Sequence, residues 1–257
     1  MNRSVSIIMA VWNQLGYTKL AVEAILRNTT KETPFELVIV DNGSRPEVHD
    51  YFASLAKAAD IKYLRNEANI GPIKAVNQGI RAARHPYIAV IHNDVIIMER
   101  GWLDKIVLCM ENDPRIGLVG LAGRKEIYNT GCVNEASLHH NLQNEDLNEP
   151  MEEDITEVAV IDGLFFMFHK GIMSRIPGLD EEYGYMHCYD LDLSLQSHEA
   201  GFKNVVVKIE AMHVGNGGRT RRLAEYKELV KDDFGLLKRN VKIFARKWRG
   251  KLPFKVA

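Results

Sequence analysis

The sequence predicts an α/β fold: a mostly parallel central sheet with helices on both faces and a helical extension at the C-terminus. Three observations carry that expectation. Short apolar runs alternate with stretches of helical spacing through the first half of the chain. Polar residues follow the first, second and fourth of those runs. A final stretch repeats apolar residues at three- and four-residue steps, with Lys and Arg on the other face. Strand, helix, strand in succession is the pattern of a parallel sheet buried on both sides.

The elements follow in order. A first strand is expected from Val5 to Val11, then a helix with Leu20, Ala24 and Arg27 that the Asn28-Thr29-Thr30 cluster ends. Phe35 to Val40, Ile61 to Leu64, Tyr87 to Ile91 and Ile116 to Leu121 read as further buried strands. Between them, Val48, Phe52 and Leu55 share one helix face, and Ile73, Val76 and Ile80 another. Gly123 to Asp154 is polar, acidic and weakly periodic, and is expected to form long loops. Val158 to Phe168 reads as one apolar strand-like run. Asp190 to Ala200 reads as a helix that Gly201 stops, and Val205 to Val207 as a short strand. Leu223, Tyr226, Val230, Phe234, Leu237, Val241, Phe244 and Trp248 form one apolar stripe on long helical structure.

At 257 residues and 46% hydrophobic, the chain has enough material for a sizeable core. No repeat or low-complexity linker divides it. The expected organisation is therefore one domain, residues 1–218, with a basic amphipathic extension at 219–257. The formal net charge of -1 gives no global field towards nucleic acid. That balance hides local asymmetry. No Lys or Arg occurs between Lys125 and Lys170, acids cluster from Glu145 to Glu157, and basic residues outnumber acids from Arg219 onward. Cys109, Cys132 and Cys188 are odd in number and form no CxxC pair, so neither a zinc knuckle nor a disulfide framework is expected. The N-terminus lacks the basic region and apolar core of a signal peptide, and no apolar run approaches the roughly 20 residues that span a bilayer. A cytoplasmic protein is the expectation.

In open parallel sheets, ligands bind at the carboxyl ends of the strands. Strand one is followed by Trp12-Asn13-Gln14, strand two by Asp41-Asn42-Gly43-Ser44, and strand four by His92-Asn93-Asp94. The Asn69-Ile70-Gly71-Pro72 turn opens a helix whose free amides face the same edge. No GxGxxG follows the first strand, no GxxxxGK[ST] occurs and no GxSxG elbow is present. Dinucleotide-binding Rossmann enzymes, phosphate-loop NTPases and α/β-hydrolases are thereby disfavoured.

These residues carry a resemblance. Ser6 to Asn13, Val38 to Ser44 and Asn69-Ile70-Gly71 through Asn77-Gln78-Gly79 resemble the opening motifs of family 2 glycosyltransferases, its bacterial rhamnosyltransferase-like members included. Tyr87 to Val95 resembles their metal-binding strand end. Asp162-Gly163, Gly178 to Glu181, Tyr189 to Leu193, Ala200-Gly201-Phe202 and His213 to Gly217 follow in the family's order. The resemblance implies the GT-A fold, a nucleotide-sugar donor, a glycan or glycoconjugate acceptor, inversion and Mn2+ or Mg2+. It implies Asp94 and His213 as metal ligands, and the imidazole favours Mn2+. Asp190 is implied as the general base, ahead of Asp192. Asp41 resembles the acid that meets the nucleotide base, with Ala10, Val11 and Asn13 lining that pocket. Asn42, Gly71 and Asn93 belong to the same donor side, and Lys74 lies within reach of donor phosphate.

Each role has a plainer alternative. Asn93-Asp94 also suits a turn after a strand. Asp190 and Asp192 also complement a helix dipole, and Lys74 also suits a solvated helix face. His92 stands where the family often has an acid, and reads as a strand-end packing or hydrogen-bonding group rather than a ligand. Tyr189 stands where relatives usually have Glu. These two departures keep open a catalytically degenerate domain that binds a nucleotide or a partner without turnover. Arg219, Arg221 and Arg222 read as surface residues or as a loop closing over the diphosphate, and His139-His140 as loop. The C-terminal helix is expected to dock on its own domain, with self-association or an anionic membrane as alternatives. The acidic loop, Glu145 to Asp154, is expected to help define the acceptor.

Overall fold

The computed structural model describes residues 2–56, 60–143, 151–214 and 219–257. The chain begins β1 (Val5–Val11), α1 (Leu15–Asn28), β2 (Phe35–Asp41), α2 (Pro46–Leu55), β3 (Ile61–Arg65), α3 (Pro72–Ala82) and β4 (Tyr87–Ile91). It continues through β5 (Val95–Ile97), α4 (Trp102–Asn112), β6 (Ile116–Gly120), β7 (Ala122–Arg124), β8 (Glu126–Ile127) and β9 (Leu138–His140). Then come β10 (Ile155–Val158), β11 (Val160–Ile161), β12 (Phe165–His169), α5 (Tyr189–Glu199), β13 (Lys203–Val207) and β14 (Ala211–His213). The last elements are α6 (Arg219–Arg222), α7 (Ala224–Leu229), α8 (Asp233–Lys247) and β15 (Phe254–Lys255).

Eight strands form the central sheet in the order β10-β13-β6-β12-β4-β1-β2-β3. Pairings β1–β2, β1–β4, β2–β3 and β6–β13 are parallel, and β12 lies antiparallel between β4 and β6. The apolar runs are continuous because both faces are covered. Along β1, Ile7 and Met9 enter one core with α1, α2 and α4, while Ile8 enters the other with α3, α5 and α8. This is the period-2 alternation of a strand buried on two sides. α3 lies so close to β1 that a Cβ on Gly79 would overlap Ile8.

Three expectations are corrected. The Val158 to Phe168 run is not one strand: Asp162-Gly163-Leu164 interrupts it between β11 and β12. The stretch after Gly123 is not all loop, because β7, β9 and β11 form a small antiparallel sheet. His139 and His140 lie on β9 within it, with His140 buried. The C-terminal stripe is not one helix. The Asp232 carboxylate accepts from Gly235 N at 2.8 Å and starts α8 afresh, so the stripe loses its phase. Phe244 and Trp248 remain in the core, whereas Phe234 is 63% exposed. Among the described residues, no helix is long and apolar enough to cross a membrane. Glu145 to Pro150 of the acidic loop and Gly215 to Gly218 lie outside the described residues.

Candidate active site

The parallel order β4-β1-β2 delivers three strand ends to one edge, and Val11 stands in register with Asp41. After β1 the chain turns through Asn13 and Gln14, both left-handed at φ 56 and 54. The second loop holds that turn: Asn13 N donates to Ser44 Oγ, and Arg45 N donates to Asn13 Oδ1, each at 2.9 Å. Asn42 ties in a third loop. Its Oδ1 accepts from Ile70 N at 3.1 Å, and its Nδ2 donates to Asn69 Oδ1 at 2.7 Å. Asn69 in turn accepts from Gly71 N at 2.9 Å, at the head of α3. Gly43 lets these loops touch, since a Cβ there would lie 2.7 Å from the Ala68 carbonyl carbon.

Asp41 ends β2, where the sequence reading placed it. It is fully buried, and its carboxylate accepts from Ser44 N at 2.8 Å, from the Tyr63 hydroxyl at 2.5 Å and from Arg65. A carboxylate so occupied braces the turn and is not turned outward to a base. Ala10 is half-buried at the edge, Val11 and Gly71 are buried, and Lys74 is exposed on α3. Asn93 donates to Thr18 Oγ1 at 2.9 Å and so anchors α1.

The cluster at the end of β4 is built by a different pairing. β14 runs antiparallel to β5 with His213 opposite Val95, which carries His213 to Asp94. His213 Nε2 lies 3.5 Å from Asp94 Oδ1, and Val214 N donates to the Asp94 carbonyl at 2.9 Å. His92 joins them: potential ligand atoms of His92, Asp94 and His213 all lie within 4.8 Å of one another. His92, read from the sequence as a strand-end packing or hydrogen-bonding group, thus also stands within reach of a shared ion. Burial lowers the His92 pKa and so favours the neutral imidazole, despite the nearby Asp94 charge. Burial opposes ionisation of Asp94, but hydrogen bonding to His213 and the neighbouring imidazoles outweigh it and hold the pKa below the ordinary value. Neutral imidazole and ionised carboxylate are the forms that ligate a cation, so the donor set fits a divalent ion.

The second wall of the crevice comes from Asp162-Gly163 and the head of α5. His187 and Cys188, both left-handed at φ 69 and 67, turn the chain into α5. Asp190 Oδ2 accepts from Gly163 N at 2.9 Å and Oδ1 from Leu191 N at 3.0 Å. Burial, reinforced by the Asp162 charge, raises the Asp190 pKa to about 6 against these two amides. The Tyr189 hydroxyl lies 3.4 Å from His92 Nε2 and joins the two walls. A Cβ on Gly163 would overlap that hydroxyl and stand 3.2 Å from Asp190 Oδ2. Asp192 plays another part. It is fully buried and accepts from Gln196 at 2.6 Å, Trp248 Nε1 at 2.8 Å, Lys247 at 2.9 Å and Tyr183 at 3.2 Å.

Asn240 holds this wall from behind. It is fully buried in α8, and its Nδ2 donates to the carbonyls of Tyr183 at 2.7 Å, Met186 at 2.5 Å and His187 at 3.3 Å. Arg45, beyond the second strand end, pairs with Glu225 of α7, so the C-terminal segment also reaches the first wall. The place of His92 two positions before Asp94 does not by itself mark it as a ligand, since a lone histidine has no spacing to judge. Asn240 carried no signal, since an asparagine on a helix is common, and Tyr189 was marked only as standing where relatives usually have Glu.

The family model described as Glycosyl transferase family 2 matches residues 6–173, more than half of the chain. The chain belongs to that family. An uncharacterised glycosyltransferase of Rickettsia conorii is 34% identical over 90 residues, covering 35% of this chain and 14% of that protein. The poly(ribitol-phosphate) beta-N-acetylglucosaminyltransferase TarP of Staphylococcus aureus is 26% identical over 151 residues, covering 54% and 45%. The chain thus spans less than half the length of these relatives. Among solved structures, GalNAc-T7 with UDP, GalNAc and Mn2+ superposes with a TM-score of 0.67 at 15% identity, over 82% of this chain and 43% of that one. The fold is GT-A, as the sequence implied.

Proposed function

We propose that this family 2 domain transfers a sugar from a nucleoside-diphosphate sugar to an acceptor hydroxyl, with inversion. The observation that carries the reading is the cluster of His92, Asp94 and His213, joined by the His92–Tyr189 contact to the head of α5 that bears Asp190. His92, Asp94 and His213 would hold a divalent ion, and two imidazoles beside one carboxylate favour Mn2+ over Mg2+. When bound, such an ion neutralises charge developing on the diphosphate leaving group. The relative crystallised with UDP and Mn2+ supports that donor chemistry.

The chain's own groups supply the rest. Asp190 accepts the proton of the attacking hydroxyl, and a carboxylate with its pKa near 6 is a stronger base than an ordinary one while still ionised at pH 7. Gly163 N and Leu191 N orient its two oxygens. The first wall takes the nucleoside end. Asp41 acts there by fixing Arg65 and Tyr63 at the rim instead of meeting the base itself. A glycan or glycoconjugate acceptor enters past Asp162-Gly163. Residues 1–218 form the transferase unit in this reading, and 219–257 brace it.

The test is a thermal-shift panel of UDP, GDP, dTDP, CDP and ADP, each with Mn2+ and with EDTA. A ligand at about a hundred times its dissociation constant adds roughly 2.7 kcal/mol, a shift of several degrees. One nucleotide is expected to shift the transition, and EDTA, Asp94→Ala and His92→Ala to abolish the shift. A panel in which no nucleotide shifts the transition sinks the donor site, and a shift that survives EDTA sinks the metal.

A further inference from the structure

Outside the crevice, the largest asymmetry is one of charge. Residues 219–257 hold 13 Lys and Arg against 4 Asp and Glu, a net of +9, so the chain total of -1 leaves -10 on the remainder. α8 sorts these charges by face. Asn240, Ile243, Phe244 and, just past its end, Trp248 are buried against the domain. On the opposite side, Phe234, Lys238, Lys242 and Ala245 fall within an arc of about 80° at 3.6 residues per turn, and Arg249, two residues past the helix end, lines the same concavity as Lys242 and Ala245.

That arc contains no acid. Asp232 is spent on the α8 cap, and Asp233 faces Tyr226 and His187. Lys238, Lys242 and Arg249 are exposed, and Phe234 is the most exposed large hydrophobic among the described residues, at 63%. The Lys238 ammonium sits 4.1 Å from the Phe234 ring centroid. Beside the arc opens a concavity of about 400 Å³, which Lys242, Arg246 and Arg249 line with no acid among its walls.

We infer that this arc of α8 docks on an anionic lipid bilayer. Its cations meet headgroup phosphates, the basic concavity takes one such headgroup, and Phe234 enters the interfacial layer. A planar surface suits the charge distribution better than a long soluble polyanion does. A polyanion that ran beyond the arc would meet the -10 carried by the rest of the molecule, whereas a membrane touches the arc alone. An exposed phenylalanine also adds nothing to phosphate binding in water but adds directly to interfacial burial. Docking would set the bilayer about one helix diameter, 10–12 Å, from the side chains that hold the loop before Asp190. The inference does not depend on the transferase reading.

Co-sedimentation of the full chain with phosphatidylcholine vesicles, with and without phosphatidylglycerol, tests it at low and high salt. Anionic vesicles are expected to bind at least about tenfold more tightly than neutral ones, with binding falling as salt screens the charges. Each basic residue near the surface is worth about fivefold, so Lys238→Glu/Lys242→Glu/Arg249→Glu lowers partition by about a hundredfold or more. Phe234→Ser lowers it by about tenfold. Lys238→Gln/Lys242→Gln serves as a milder variant should the triple reversal disturb folding. Arg27→Glu/Arg81→Glu, two exposed charges elsewhere, leaves partition unchanged. Absent binding, equal binding to neutral vesicles, or an equal loss in that control pair overturns the assignment. So does tight binding of soluble polyphosphate that Phe234→Ser leaves intact while vesicles are ignored, which gives the arc to a soluble polyanion.

Discussion

The crevice has two walls, and each opens with the same device: two consecutive left-handed residues that aim a helix. They are Asn13-Gln14 before α1 and His187-Cys188 before α5, the only non-glycine residues with positive φ among those described. Such residues cost on the order of 1–3 kcal/mol each and persist where their surroundings over-determine them. What over-determines them differs. Asparagine tolerates the left-handed region, and Asn13 is held by Ser44 and Arg45 of the neighbouring strand-end loop. Cys188 has no such intrinsic tolerance, and the His187-Cys188 loop is held by Asn240, 53 residues beyond His187, in the C-terminal helix. The wall at Asn13-Gln14 is therefore assembled by adjacent βα units. The wall that carries Asp190 depends on a segment outside the residues that match the family model.

The sharpest separation of the two walls comes from Asp190→Asn. Loss of a general base is expected to lower the rate by about 10²–10⁴-fold, with metal-dependent nucleotide binding unchanged. A parallel loss of nucleotide binding would merge the walls into one unit. In the parent, kcat should fall as pH drops below about 6, because the Asp190 carboxylate, with its pKa raised to about 6, is then protonated and cannot accept. A pH profile flat down to pH 4 would remove Asp190 from that role.

Next in size is Asn240→Leu, which strips one buried and two part-buried carbonyls of their donor. We expect a loss of about 1–3 kcal/mol in urea unfolding, with a larger fall in kcat than in nucleotide affinity. An equal fall in both would show that α8 supports the whole fold and not one wall. Asn13→Ala tests the opposite wall: it removes the Arg45 N acceptor and keeps a Cβ at φ 56, at a cost of about 1–2 kcal/mol. Asn13→Gly should cost less, since glycine accepts the backbone. The smallest effect is at Cys188, where Cys188→Gly should be more stable than Cys188→Ala by up to about 1 kcal/mol. The reverse order would mean that the left-handed turn carries no strain there.

This contrast also explains what the sequence made legible. Strand ends announce themselves, because an apolar run must stop where polar residues such as Asp41-Asn42 or His92-Asn93-Asp94 begin. The sheet and most helices were accessible in that way, whereas Asp94 and His213 were linked only by what the family resemblance implied. The partners of Asp41, Tyr63 and Arg65, were not legible because they lie on the next strand, and a pairing between strands leaves no mark on local sequence. His92 was underrated because a single histidine has no spacing to judge. Asn240 was invisible: it sits on the buried face of a helix whose stripe was read as apolar, and only the folded loop shows three carbonyls converging on it. The break at Asp232 escaped notice because the three- and four-residue steps run through it without interruption.

The charge division between the two ends of the chain has a consequence that its total conceals. With -10 on one part and +9 on the other at a net charge of -1, the molecule is expected to behave as an electric dipole. Isoelectric behaviour alone, with a sequence pI near 6.8, suggests weak retention on any ion exchanger at neutral pH. A dipole of this kind should instead be held by both cation and anion exchangers at low salt, each capturing a different end. In dilute buffer, the cationic end of one molecule should also attract the acidic body of the next. Preparations should then turn cloudy as salt is removed and clear when it is restored.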